Sequence, residues 1–480
     1  MRNLTLLTDF YELTMMQGYF KSGKAQERVI FDMFYRKNPC GNGFSICCGL
    51  ETVVEYVRSL NFNEEDIDYL RSLKVFDEDF IDYLRGFHFT GDVYAITEGT
   101  VVFPREPLVK VIAPVIEAQL IETALLNMIN HQSLIATKAS RVVHAAAGDA
   151  VMEFGLRRAQ GPDAGIYGAR AAVIAGCIGT SNVFAGKKFG VPVMGTHAHS
   201  WIMSFRTELE AFITYGRLYP ESCILLVDTY DTLKSGVKNA IRCFDTLKAE
   251  GIKLKRYGIR MDSGDLAYLS KKAKKMLDEA GYTDAIISAS NDLDEDLISS
   301  LKLQGATINS WGVGTKLITS ENQPSFGGVY KLAAIMGEKG EWIPKIKISE
   351  NSEKITNPGD KQIYRIVQKD SGKVFADYIC LAEEKFSTDE DLTLFDPVET
   401  WKKSTLEGGS YTMEPLLKPI FEGGKLVYSC PSVEEITKHA KEELGRLWDE
   451  CKRLKNPHNV HVDLSDKLYD MKIKLLNEYR

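Results

Sequence analysis

The sequence predicts an α/β protein in which a parallel βα body is flanked by strand-rich segments. Three observations carry this. From Val151 onward, short apolar runs alternate with amphipathic stretches, the pattern of a parallel sheet with crossover helices. Five of those runs end in small, polar or charged residues. On either side of this body, short strand-like runs return.

Taken in order, residues 1–135 carry the strand-like runs ERVIFDMFYRK, GDVYAITEG and PLVKVIA among helical stretches, an N-terminal α+β domain. Residues 136–324 form the βα body. There VPVMGTHAHSW precedes the helix-like SFRTELEAFITYGRL, and CILLVDTYDT precedes LKSGVKNAIRCFDTLKAEG. RYGIRMDSGD, AIISASNDLD and INSWGVGTKLIT complete the series. Residues 325–425 turn strand-rich again (GGVYKLAAI, KQIYRIVQ, KVFADYICL) and are expected to return to the N-terminal domain. Residues 426–480 read as a helical tail. Ser432 and Glu435 suit a capping box, with Ile436, Ala440, Leu444, Leu447 and Leu454 on one face.

Composition narrows the function classes. At roughly 150 residues per domain, 480 residues make two or three units. Apolar residues at 44% and charged residues at 26% are ordinary globular values, enough for a large core. Lys+Arg 59 against Asp+Glu 66 gives −7, which leaves no electrostatic footprint for nucleic acid or an anionic membrane. No run reaches the ~18 apolar residues of a membrane helix. Asp9 and Glu12 stand where an export signal would be apolar, and nine scattered cysteines lack a C-x-x-C. A cytoplasmic protein is expected.

The polar run ends are Thr196–Ser200, Asp228–Asp231, Arg260–Asp265, Ser288–Asp292 and Gly312–Thr315. Polar loops cap helices in any βα protein, and Asp265 and Asp292 suit that role. Five together point to one shared site, because parallel barrels build their active sites from the carboxyl ends of strands. His197 and His199 form an H-x-H, but no histidine follows until His439, so a shared metal lacks ligands. One of the two is then a packing or capping residue, or a nucleophile or proton carrier. RMDSGD sets Arg260 beside Asp262 and Asp265, suited to a carboxylate, a ribose or Mg²⁺. GVGT ends in Gly314 and Thr315, a phosphate cradle of the barrel type. GTSNVFAGKK has the wrong spacing for a Walker loop. EFGLRRAQG offers Phe154 as a shelf for a flat ligand and Arg157 for its anions.

In order, TDFYELTM, EFGLRRAQG, GTHAHSW, DTYDT, RMDSGD, GVGT and the tail KNPHNVHVDLS closely resemble the nicotinate phosphoribosyltransferase family. The resemblance implies an irregular parallel α/β, TIM-like barrel joined to a strand-rich α+β domain built from both ends of the chain. It implies condensation of nicotinate with phosphoribosyl pyrophosphate to nicotinate mononucleotide, driven by ATP through a phosphohistidine, with Mg²⁺ as cofactor. It implies a homodimer with sites at the subunit interface. His199 matches the phosphohistidine, and His197 takes no role. Thr196 and Arg260 match nicotinate contacts, Phe154 the stacking aromatic, and Tyr11 an aromatic supplied by the partner subunit. Arg157 matches a phosphate or carboxylate contact and Thr315, after Gly314, a phosphoribosyl-phosphate contact. Ser200 adjoins the phosphohistidine. Asp228 and Asp262 match acids around ribose and Mg²⁺, the metal ligands themselves staying unassigned. Two other readings are a nicotinamide phosphoribosyltransferase and a non-catalytic phosphosugar sensor. GTHAHS carries no acid, and EFGLRRAQG brings two arginines, which favours a carboxylate substrate.

Overall fold

The structure is a computed structural model that describes residues 2–479, the side chain of Ser352 excepted. The chain divides into two compact units, one of Met1–Leu134 with Ser325–Arg480 and one of Ile135–Pro324.

The first unit is built on a seven-stranded sheet. Its strand Arg28–Tyr35 pairs antiparallel with Val109–Pro114 on one side and Gly328–Met336 on the other. A four-stranded sheet of Tyr411–Pro415, Lys361–Gln368, Val374–Leu381 and His461–Leu464 accompanies it. Arg365 is fully buried, its guanidinium bonded to Asp377, Glu443 and the Val101 carbonyl. Each of its donor nitrogens has an acceptor, which a buried charge requires.

The tail departs from the helical expectation. Helices Val433–Arg446 and Asp466–Glu478 are present, the first opened by the Ser432–Glu435 capping box. His461–Leu464 between them is a strand paired parallel with Val374–Leu381. The helix stops at Arg446, so Leu454 lies outside it. Glu443, not Leu444, faces inward, because it serves Arg365.

The second unit holds five parallel strands: β1 (Ala150–Glu153), β2 (Cys223–Leu226), β3 (Tyr257–Met261), β4 (Ile286–Ala289) and β5 (Ser310–Val313). Their order is β1-β5-β4-β3-β2. Beyond β1 only single bridges continue the sheet, Glu153 to Thr180 and Thr180 to Val193. No described strand joins Val193 to β2, so the sheet is open where a closed TIM-like barrel was expected. VPVMGTHAHSW contributes a bridge rather than a strand. Pro192 has no N–H to donate and Gly195 weakens a ladder. The following helical stretch is split into His199–Met203 and Glu208–Leu218, the second capped by Thr207. Asp265 caps Leu266–Glu279, and Asp294 rather than Asp292 caps Glu295–Leu303.

Among the described residues no helix is long and apolar enough to cross a membrane. Among the described residues no disulfide is formed.

Candidate functional site

The carboxyl ends of the parallel strands carry a connected polar network. At the end of β3, Arg260 donates from Nη1 to Thr196 Oγ1 at 2.5 Å and from Nη2 to the His197 carbonyl at 3.0 Å. Its Nε is buried without a partner. Burial lowers the Arg260 pKa, nearby Arg157 adds to the fall, and Asp262 and Asp228 oppose it. Among the described residues the guanidinium keeps an unsatisfied donor and makes no direct ion pair, which suits a carboxylate clamp.

Asp228 follows β2. Its Oδ2 accepts from the Asp262 amide at 2.8 Å and from Ser263 Oγ at 2.6 Å, while Oδ1 is buried without a partner. Asp262 Oδ1 accepts from Ser290 Oγ at 2.5 Å. Its Oδ2 stands 4.0 Å from His199 Nε2, both side chains 42% exposed. His199 Nδ1 lies 3.1 Å from Thr229 Oγ1. In the tautomer that donates Nδ1–H to Thr229, Nε2 keeps its lone pair and faces solvent beside Asp262.

The two histidines have separate roles. His197 is buried, with its ring 4.6 Å from that of Tyr215 and its Nε2 accepting from the Leu226 amide at 3.4 Å. Burial, with Arg260 nearby, holds its pKa down at about 4, so the ring is neutral and packed. His199 is the accessible imidazole.

A cavity of about 280 Å³ opens beside this network, lined by Met152, Phe154, Thr196, Ile224, Arg260 and Ser288 among others. Phe154 is set by its backbone, its N–H donating to the Val313 carbonyl at 2.8 Å. Gly312 gives its ring room, since a Cβ there would sit 2.6 Å from Phe154 Cδ2. Buried Glu153 ties this corner together, accepting from the Gly155 amide and from Thr180 Oγ1.

Of the candidates, Arg260 and Thr196 are hydrogen-bonded and share the cavity with Phe154, while Asp228, Asp262 and His199 form a second group at the neighbouring strand ends. Arg157 is exposed on the turn Leu156–Arg158, and Ser200 is exposed on the short helix after His199. Gly314 backs onto the Phe154 carbonyl. Thr315 opens the short helix Thr315–Ile318, and its hydroxyl makes no hydrogen bond to a described residue. Tyr11 lies in the other unit, half exposed on helix Phe10–Lys21. Asp265 is spent as a helix cap. Sequence reasoning passed over Thr229, Ser263, Ser290 and Glu153. Each lies within or beside a motif already singled out, which was the available signal.

Comparison with known proteins agrees along the whole length. Residues 6–130 match the nicotinate phosphoribosyltransferase N-terminal domain, 150–369 the nicotinate phosphoribosyltransferase family, and 360–472 the C-terminal domain. The nicotinate phosphoribosyltransferase of Bacillus subtilis is 46% identical over 478 residues, covering 100% of this chain and 96% of its own. One from Mycobacterium tuberculosis is 38% identical over 96% of this chain and 92% of its own. The crystal structure of human nicotinic acid phosphoribosyltransferase superposes with a TM-score of 0.85 at 30% identity, covering 98% of this chain and 99% of that one. The chain belongs to the nicotinate phosphoribosyltransferase family.

Proposed function

We propose that this enzyme transfers the phosphoribosyl group of 5-phosphoribosyl 1-pyrophosphate to the ring nitrogen of nicotinate, giving nicotinate mononucleotide and pyrophosphate in NAD salvage. The observation that carries it is the Arg260 clamp. A guanidinium held by Thr196 and the His197 carbonyl, with a spare donor, lines the cavity that Phe154 also lines. A flat anion of pyridine size suits that pair by stacking and charge. A neutral amide would leave the guanidinium uncompensated, which argues against nicotinamide.

Phe154 and Arg260 orient the ring, and a fixed near-attack geometry removes much of the entropic cost of the reaction. Nicotinate carries a free lone pair, so no general base is required. Arg157 offers charge to the phosphates, as do the backbone amides of the Gly314–Thr315 turn. Thr315 is assigned to the phosphoribosyl phosphate. Mg²⁺ fits the partnerless Asp228 Oδ1 and Asp262 Oδ2. When bound, it would neutralise the departing pyrophosphate.

His199 is the proposed phosphate acceptor from ATP. Its Nε2 forms a bond to the γ-phosphorus as the bond to the ADP oxygen breaks, and water later hydrolyses the phosphoimidazole. Ser200 borders that phosphate. The open parallel sheet and its bridges make residues 136–324 the proposed catalytic body, with 1–135, 325–425 and 426–480 as the accessory part. Tyr11 is assigned to the site of a partner subunit in a homodimer.

The test is pyrophosphate release with nicotinate and phosphoribosyl pyrophosphate, with and without ATP, against nicotinamide in parallel. Release with nicotinate, raised by ATP, is expected. Preference for nicotinamide, or binding of the sugar without release, overturns the reading.

A further inference from the structure

The first unit contains two cations, Arg105 and Lys472, that form no ion pair with a described residue. Arg105 sits in the left-handed region at φ +77°, its amide donating to the Tyr35 carbonyl at 2.7 Å. A non-glycine residue there carries strain, tolerated when the surrounding structure requires the side chain in that place. Among the described residues the guanidinium makes no hydrogen bond and no ion pair. Lys472, on the last helix, donates to the neutral Asn357 Oδ1 at 2.9 Å and to nothing else described. Both side chains line one small chamber.

The acids at that chamber have cations of their own, although Asp32 keeps a buried Oδ1 without a partner. Asp32 pairs with Lys361 at 2.8 Å and Glu353 with Lys37 at 3.1 Å. Burial and the neighbouring Arg105 push the Lys472 pKa down to about 8, the response of an amine that lacks an anion. Arg105 also lines a second, open cleft of about 840 Å³, where the rings of His458 and His461 stand 6.5 Å apart. Chamber and cleft thus meet at Arg105. Two partly desolvated cations with unused donors, opening onto a polar cleft, supply the charge and the hydrogen-bond donors that phosphate recognition needs.

We propose that Arg105 and Lys472 form a binding site for a phosphoryl dianion, with any organic group it carries lying in the cleft toward His458 and His461. Arg105 and Lys472 belong to a different unit of the chain from His199, Asp262 and Arg260.

The experiment is equilibrium dialysis of the full-length protein with labelled orthophosphate and, separately, adenosine 5′-monophosphate, at constant ionic strength in chloride. Arg105→Gly is compared with Lys472→Met and Lys472→Arg. Glycine is at ease at φ +77°, so the first variant folds without strain. Losing a charge-assisted contact is expected to weaken one class of phosphate site by about tenfold or more in Arg105→Gly and Lys472→Met, with Lys472→Arg retaining it. Monophosphate binding about tenfold tighter than orthophosphate identifies an ester as the ligand, and equal binding identifies free phosphate. Phosphate binding to both charge-removing variants that equals the parent overturns the proposal.

Discussion

The Thr196 hydroxyl and the Arg260 guanidinium meet at 2.5 Å, joining the end of β3 to a loop that no extended ladder holds. Thr196→Val keeps the side-chain volume and removes the acceptor. A hydrogen bond to a charged group contributes about 1.5–3 kcal/mol, so kcat/KM for nicotinate is expected to fall roughly 10- to 100-fold. Steady-state kinetics on both pyridines check this. An equal loss on nicotinamide would mean that the pair does not read the carboxylate.

His199 is expected to take label from [γ-³²P]ATP as an acid-labile, base-stable phosphoryl group. His199→Ala should carry no label and show no stimulation of turnover by ATP. Thr229→Val, which frees the ring at Nδ1, should slow labelling without removing the acceptor atom. Label that persists in His199→Ala places the phosphate elsewhere.

Gly312→Ala tests the ring shelf. The new Cβ would lie 2.6 Å from Phe154 Cδ2 with the ring in place. Overpacking of this kind costs about 1–3 kcal/mol, taken either as lost stability or as a displaced ring. A lower Tm, or a KM for nicotinate raised at unchanged Tm, is expected. Neither change would show that Phe154 does not set the cavity wall.

Glu12 supplies a pH signature for the first unit. It is buried beside Gln119 and Glu122, and burial raises its pKa from the ordinary 4.5 to about 7. The fold therefore binds this proton more tightly than the unfolded chain does. That contribution is complete below about pH 4.5 and is lost as pH rises through 7. Glu12→Gln does not titrate, so its Tm should match the parent near pH 5 and exceed it by a few degrees at pH 8. Thermal melts across that interval check it.

Much of the polar cluster at the strand ends was legible because polar residues at the ends of apolar runs have few structural reasons to recur five times. Asp228, Arg260, Asp262 and His199 were all found this way. Their partners were not, because a loop motif does not reveal which hydroxyl turns inward. Thr229 and Ser263 each adjoin an acid already chosen, yet only the backbone path decides that they hold it. The H-x-H spacing could not separate a packed ring from an open one, and burial against Tyr215 did. Closure of the sheet was misread for a related reason. VPVMGTHAHSW has a strand's apolar start, but ladder formation depends on hydrogen bonds that Pro192 cannot make. The tail face was drawn through Leu444 on apolar spacing alone, and the inward place of Glu443 is set by Arg365, 78 positions earlier.

The pairing of Arg28–Tyr35 with Gly328–Met336 has a consequence for synthesis. A ribosome that has made the first 134 residues has laid down strands with one edge still bare. Their neighbour emerges only after the whole of Ile135–Pro324. The inserted unit therefore has the opportunity to fold first, while the opening segment waits with unpaired amides and carbonyls exposed to other chains. Chaperone demand during translation should be concentrated in that interval, and premature termination there should yield aggregates rather than a stable fragment.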